Sequence, residues 1–399
     1  MKNLPRVVGK RLQALANQFP AVLILGPRQC GKTTLVRHAV AGRYYDLERP
    51  SDRQVFEADP ELALSRLRES AILDEAQTLP ALFPVLRALI DENRRHCGRF
   101  YLLGSVNPAL VREISESLAG RVGVLELTPF LYPEVHGRFD LPTFWHRGGF
   151  PDALLAANTE QWGEWQESYV RTFVERDLAR YHQFSVSPLE MRRFTTMLAH
   201  LHGGLLNASE LGRAFGVSYH TVQRYLDAIE GHYLIRRLMP YAKNTGRRLV
   251  KSPKVYIRDT GLLHHLLGIR DENELLAHPK RGFSWEGCMI EQLIALFHLS
   301  QPGAQFSFYR TQMGAEIDLV VEYGGLARGF EFKTAMSVGK GDASGLRAGL
   351  TAGVIHEGAV VYLGSKRYPL APSIEALPAA DLLAALTPAP TSATQPASR

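Results

Sequence analysis

Cysteine is scarce: only Cys30, Cys97 and Cys288 occur in 399 residues, far apart and with no CxxC pairing. That argues against a zinc module and a disulfide framework and points to a reducing compartment. No apolar run approaches the length of a membrane span, and Met1-Lys-Asn-Leu-Pro-Arg6 carries no apolar h-region, so a cytoplasmic protein without a membrane partner is expected. Acidic residues are missing altogether between Arg236 and Arg258, a stretch that holds eight basic ones. The net charge of +6 permits a nucleic-acid partner without demanding one. A length of 399 residues exceeds what one core sustains, so two or three domains are expected.

What is present begins with Gly26-Pro-Arg-Gln-Cys-Gly-Lys-Thr33, which fits the phosphate-binding pattern G-x-x-x-x-G-K-[ST]. The apolar Ala21–Leu25 before it reads as a buried strand, and the run after it places Leu35, Val36, Ala39 and Val40 on one helical face. Amides at a helix N-terminus face an anion, and the helix dipole adds partial positive charge. Gly26, Pro27, Arg28, Gln29, Cys30, Gly31, Lys32, Thr33 and Thr34 are therefore the expected nucleotide contacts, with Lys32 on the β- and γ-phosphates and Thr33 on Mg²⁺. Cys30 is open to two readings, a low-pKa thiolate or a residue small enough to fit.

Ser70–Gln77 reads as a short strand ending in acids, with Asp74 supporting Mg²⁺ and Glu75 orienting or deprotonating the attacking water. Ser105 and Asn107, at the tip of a strand from Phe100, are candidate γ-phosphate sensors or simple helix caps. Arg121 before the last strand is a candidate arginine finger, in cis or in trans, with an ordinary salt bridge as the alternative. Residues 1–130 thus read as an α/β nucleotide-binding sheet, and 131–200 as a helical linker in which Glu175-Arg-Asp177 is a solvated face.

Residues 201–270 carry a helix-turn-helix pattern. Leu211 and Ala214 pack one helix, Gly216 makes the turn, and Val222, Leu226 and Ile229 anchor a second helix presenting Tyr219, His220, Gln223 and Arg224. Strands His232–Leu238 and Lys254–Ile257 then flank a basic wing with Lys243, Arg247, Arg248 and Lys251, which suggests phosphate contacts with double-stranded DNA. Winged helices also serve as packing modules, so DNA is one partner of two readings.

Residues 271–386 read as a nuclease-like α/β domain opened by an amphipathic helix. Glu286, Asp318, Glu331 and Lys333 follow the order helix acid, strand acid, acid-x-Lys, and the strand period puts Glu331 and Lys333 on one face. Converging acids suit one or two Mg²⁺ ions for phosphodiester cleavage, while alternating exposed charges are the plain alternative. Residues 387–399, rich in Pro, Ala, Thr and Ser, read as a disordered tail.

The phrases Gly26–Thr34, Leu73-Asp-Glu-Ala-Gln77, Gly149-Phe-Pro151, Glu175-Arg-Asp177, Leu249–Lys254, Arg258-Asp-Thr-Gly-Leu262 and Gly314–Asp318 together resemble a broad prokaryotic family of AAA-like P-loop ATPases with a C-terminal domain of unknown function. The resemblance implies an α/β fold class: an ATPase core, a winged-helix segment and a PD-(D/E)xK-like domain. Cys30, where a β-branched residue is more usual, and Val106-Asn107, where small polar residues are commoner, depart from it. The expected function is an ATP- and Mg²⁺-dependent ATPase gating a DNA-binding or nuclease-like region. The alternatives are an ATP-regulated endonuclease and a nucleotide-gated binding module; a homo-oligomer is compatible with each.

Overall fold

The computed structural model describes residues 4–67, 69–104, 114, 117–178, 186–242 and 249–388. The chain divides into two compact units, one running to Phe130 with Gly231–Tyr233, the other Leu131–Glu230 with Leu234–Pro388. The segments that the sequence divides near residues 200 and 270 thus belong to one unit.

The first unit is built on a parallel sheet of β1 (Ala21–Leu25), β2 (Gly42–Asp46), β3 (Ser70–Asp74), β4 (Phe100–Gly104) and β5 (Val122–Glu126), in the order β2-β3-β4-β1-β5. Strand β1, Ala-Val-Leu-Ile-Leu, is buried along its whole length, as a continuous apolar run in a parallel sheet requires. The helix Lys32–Ala39 follows the P-loop directly. Leu82–Glu92 buries Leu82, Phe83, Leu86, Leu89 and Ile90 at helical spacing. Because β4 lies between β1 and β3, the ends of β1 and β3 open on the same sheet edge with one strand between them.

In the second unit, helices Ala208–Phe215 and Tyr219–Gly231 meet at Gly216, whose φ of 67° is a left-handed C-cap. A Cβ on Gly212 would stand 2.8 Å from the Val217 carbonyl oxygen, so close approach at the turn requires that glycine. Ala214 is exposed, contrary to the packing role expected from the sequence. The antiparallel pair β6 (Ile235–Leu238) and β7 (Lys254–Ile257) follows.

The helix Arg281–Ser300 precedes β8 (Gln305–Arg310), β9 (Glu316–Tyr323), β10 (Leu326–Lys333), the helix Ser344–Thr351, β11 (Glu357–Tyr362), β12 (Tyr368–Ala371) and β13 (Ile374–Pro378). The sheet order is β12-β13-β11-β10-β9-β8, with β8-β9-β10 antiparallel and β10-β11 parallel. The helix Arg281–Ser300 is not amphipathic as expected: every residue from Ser284 to Ile294 is buried, Glu286 and Glu291 included. An all-buried helix must bring partners for its charges, and those partners shape the site below.

Candidate functional site

The P-loop is shaped by contacts that only small residues allow. A Cβ on Gly26 would lie 2.1 Å from the Leu127 carbonyl oxygen, and Gly31, at φ 97°, caps the helix in the left-handed region. Cys30 is fully buried, and burial raises its thiol pKa; the thiolate reading gives way to that of a residue that fits. The Lys32 ammonium donates to the carbonyls of Gly26 at 3.0 Å and Pro27 at 2.9 Å, across the mouth of the loop. Arg6, unremarked in the sequence, donates to the carbonyls of Cys30 (3.1 Å), Thr128 (2.7 Å) and Pro129 (3.1 Å), tying the loop to the segment after β5.

At the end of β3, Asp74 Oδ2 accepts from the Thr33 hydroxyl at 2.5 Å and from the Tyr44 hydroxyl at 2.8 Å. Burial, then the bond to Asp74, pushes the Tyr44 phenol above its ordinary range. A hydroxyl beside a carboxylate at a helix N-terminus is a set of hard oxygen donors, so Thr33 and Asp74 fit Mg²⁺. Glu75 sits in the left-handed region (φ 52°, ψ 45°), its amide donates to Asp74 Oδ1 at 3.0 Å, and its carboxylate accepts from the Gln77 amide nitrogen. The Gln77 side-chain oxygen Oε1 is buried without a hydrogen-bond partner among the described residues. It faces Gly104, where a Cβ would stand 2.7 Å away. Burial and the charge of Glu75 raise the pKa of Glu48, with Arg28 opposing; Glu48 is thus another acid at this edge. Ser105 and Asn107 lie outside the described residues.

Arg121 stands at the other end of the sheet. Val122 pairs with Ala21, whereas the P-loop follows Leu25, four residues or about 13 Å further along the strand. Its guanidinium forms a bidentate pair with Asp91, 2.8 Å on each arm. The reading of Arg121 as a finger within its own subunit is therefore corrected to the salt bridge.

In the second unit, Tyr219, His220 and Arg224 are exposed on the second helix of the pair. Tyr219, Gln223 and Lys251 line one groove of about 660 Å³ with Asn207, Arg237 and Met239. Arg247 and Arg248 lie outside the described residues. Of the described basic residues in this stretch, four are turned onto acids while Lys251 is exposed. Arg236 and Arg258 both bond Glu291; Arg237 bonds Glu230 and Asp227; Lys254 bonds Glu286 and Glu316. Burial alone would raise the Glu291 pKa, and the two arginines instead hold it down at about 2.

Glu286, Asp318 and Glu331 are all buried in the second unit. Burial and the charge of Asp318 push both Glu286 and Glu331 up. The Phe332 amide donates to Asp318 at 2.9 Å, and the Lys333 ammonium lies 3.4 Å from Glu331. Two residues that the sequence reading did not connect with these acids bond Glu286. The Lys254 ammonium is 2.8 Å from Glu286 Oε1 and 2.5 Å from Glu316 Oε1, and the Tyr256 hydroxyl donates to the same Glu286 oxygen at 2.5 Å. Burial would depress the lysine, and Glu286, Asp318 and Glu316 more than reverse that. Among the described residues, no group of three or more His, Cys, Asp or Glu side chains is arranged to hold a metal ion.

Other shared phrases meet as packing. Asp259 caps the helix Thr260–Leu266 through the Leu262 amide at 2.9 Å and accepts from the Gly149 amide at 2.8 Å. Glu175 pairs with Arg192 at 2.9 Å, and Asp177 is buried at the end of the π-helix Val170–Asp177, so this is not the solvated face expected.

Residues 18–136 match an AAA domain, 138–273 a Domain of unknown function (DUF8612) and 281–382 a Domain of unknown function (DUF4143). The first unit is accordingly an AAA-type P-loop domain, which supports nucleotide binding. The chain is 43% identical over 383 residues to Uncharacterized protein Rv2008c of Mycobacterium tuberculosis and equally to Uncharacterized protein Mb2031c of Mycobacterium bovis, over 95% of this chain and 84% of each relative. It belongs to the family of these two proteins, with an AAA domain at one end and DUF4143 at the other. Similar solved structures include the FIGL-1 AAA domain in complex with ADP (14% identity, 57% of this chain and 77% of that one, TM-score 0.23). Protein VC1899 from Vibrio cholerae matches at 13% identity over 92% and 96%, TM-score 0.22. Drosophila ORC bound to GC-rich DNA and Cdc6 matches at 13% over 66% and 90%, TM-score 0.21. TM-scores this low carry no argument. No helix among the described residues is long and apolar enough to cross a membrane.

Proposed function

We propose that the chain is an ATP- and Mg²⁺-dependent ATPase whose nucleotide state governs what its second unit binds. The observation that carries this reading is the Thr33–Asp74 hydrogen bond, which joins the P-loop helix to the acid end of β3. Lys32 and the loop amides hold the phosphates, Thr33 and Asp74 hold Mg²⁺, and Glu75 takes a proton from the attacking water. Mg²⁺, when bound, neutralises charge on the phosphate oxygens. Lys32 is within reach of the loop carbonyls it now bonds, so a phosphate competes with those carbonyls for the ammonium. ATP hydrolysis by wild type, Lys32→Ala and Glu75→Gln tests the reading. Lys32→Ala loses ATP binding, and Glu75→Gln keeps binding while turnover slows; wild-type turnover in Glu75→Gln overturns the base assignment.

A second reading concerns the groove. Tyr219, Gln223 and Lys251, picked from the sequence as DNA contacts, line it together, which supports duplex DNA as a partner of a winged helix. Arg237, in the same groove, is committed to Glu230 and Asp227, so the exposed Lys251 carries the phosphate contact there. Salt-dependent DNA binding lost in Lys251→Glu is the expected result. The order helix, three antiparallel strands, helix, parallel strand supports a PD-(D/E)xK-like fold for the C-terminal sheet. A fold leaves cleavage open as a separate question.

A further inference from the structure

We infer that the carboxylate cluster of the C-terminal sheet takes its cation from the chain itself, the Lys254 ammonium standing where a nuclease would hold a divalent metal, so that the second unit binds without cleaving. The residues present do not fit a metal: the Glu286 oxygen that would face one already holds the Lys254 ammonium and the Tyr256 hydroxyl. The Lys254 side chain is 2% exposed, and its ammonium spends donors on Glu286 Oε1 and Glu316 Oε1. The Tyr256 hydroxyl fills a further site on that Glu286 oxygen, and the Phe308 ring lies 5.5 Å from the ammonium. A metal entering here must displace a buried ammonium and compete with a phenol for one carboxylate.

Lys254 is also held from behind. Strand β7 pairs with β6, Leu206 donates to the Pro253 carbonyl at 2.8 Å, and Leu205 bridges to Lys254 itself. On both sides of the intervening stretch the backbone joins the edge strand β8: Tyr241 donates to Phe308 at 2.7 Å and Val250 to Arg310 at 3.1 Å. Five residues beyond Glu286 on the same buried helix, Glu291 takes Arg236 from β6 and Arg258 from just after β7. Three cations of the wing strands thus meet two glutamates of one helix. The strands β6 and β7 are tied to the sheet and its helix, and a side chain anchored this way is a fixed counter-ion, unlike a metal that comes and goes.

The inference sets aside the endonuclease alternative and is separable from the ATPase reading, since Thr33 and Asp74 are the same in every variant compared. Full-length protein without nucleotide is titrated with Mn²⁺, with free ion counted by electron paramagnetic resonance and melting followed in parallel. Wild type and Asp318→Asn bind the same amount of Mn²⁺, and any shift that Mn²⁺ causes in their melting is the same for both. Lys254→Met melts lower, gains one ion per chain and regains most of the lost melting temperature in millimolar Mn²⁺; adding Asp318→Asn removes that gain. A wild type that loses one bound ion on Asp318→Asn overturns the inference, and this comparison stands even where Lys254→Met fails to fold. Lys254→Met that folds yet gains no ion also overturns it, because the lysine then blocks nothing.

Discussion

The Thr33 hydroxyl donates to Asp74 Oδ2 at 2.5 Å, linking the first turn of the P-loop helix to the last residue of β3. The Tyr44 hydroxyl reaches the same oxygen at 2.8 Å from the neighbouring strand β2. Tyr44 therefore orients the proposed Mg²⁺ carboxylate. Tyr44→Phe removes one hydrogen bond worth about 1 kcal/mol, about a fivefold effect. The Mg²⁺ concentration for half-maximal hydrolysis rises about fivefold at saturating ATP, while ATP affinity holds within about twofold. An Mg²⁺ titration with an unchanged midpoint reduces Tyr44 to filling the sheet edge.

Glu75 is fixed twice, by a left-handed backbone and by the Gln77 amide on its carboxylate. A base whose carboxylate wanders loses its aim at the water, so Gln77→Ala lowers kcat about tenfold, equivalent to about 1.4 kcal/mol in the barrier. KM stays near the wild-type value because Gln77 has no phosphate to hold. A matching rise in KM with unchanged kcat means that Gln77 acts on binding instead.

The P-loop and β3 were legible because their chemistry is local: five or nine consecutive residues carry strand, loop and acid together. The order of Glu286, Asp318 and Glu331 could be read from the sequence, and all three are buried in the fold. What escaped were partners far away in sequence. Arg6 reaches Thr128 over 122 positions, and Lys254 reaches Glu286 over 32. An unbroken basic stretch looks solvated until its acids are found on a distant helix, and a helix with glutamates at 286 and 291 looks amphipathic for the same reason. Periodicity reports which side of a helix is charged and says nothing of what waits there.

Gly261, within one shared phrase, and Gly148, just before another, serve packing. At Gly148, φ 77°, a Cβ would lie 2.4 Å from the Asp259 carboxylate; at Gly261 it would lie 2.1 Å from the Arg147 carbonyl oxygen. Neither neighbour is a flexible tip, so Gly148→Ala and Gly261→Ala each destabilise by about 2 kcal/mol or more. Urea unfolding of the second unit's transition reads this. Substitution without a shift in midpoint means that the two segments separate more easily than their contacts imply.

Glu291 gives the pH dependence a sign. Burial raises its pKa, but Arg236 and Arg258 outweigh it and hold the carboxyl at about 2, below the usual 4.5. A depressed carboxylate contributes stability that is fully present above about pH 5 and is lost as pH falls through the folded pKa. The window therefore runs from about pH 5 down to about pH 2, and the shift corresponds to about 3 kcal/mol. Glu291→Gln at pH 7 leaves two arginines without their buried partner, a loss of about 3–5 kcal/mol. Since both proteins carry a neutral group there at low pH, the gap between wild type and Glu291→Gln narrows as pH falls through that window. Denaturant midpoints measured from pH 7 down to pH 3 decide the matter: a gap that stays constant locates the cost in side-chain geometry rather than in the charge.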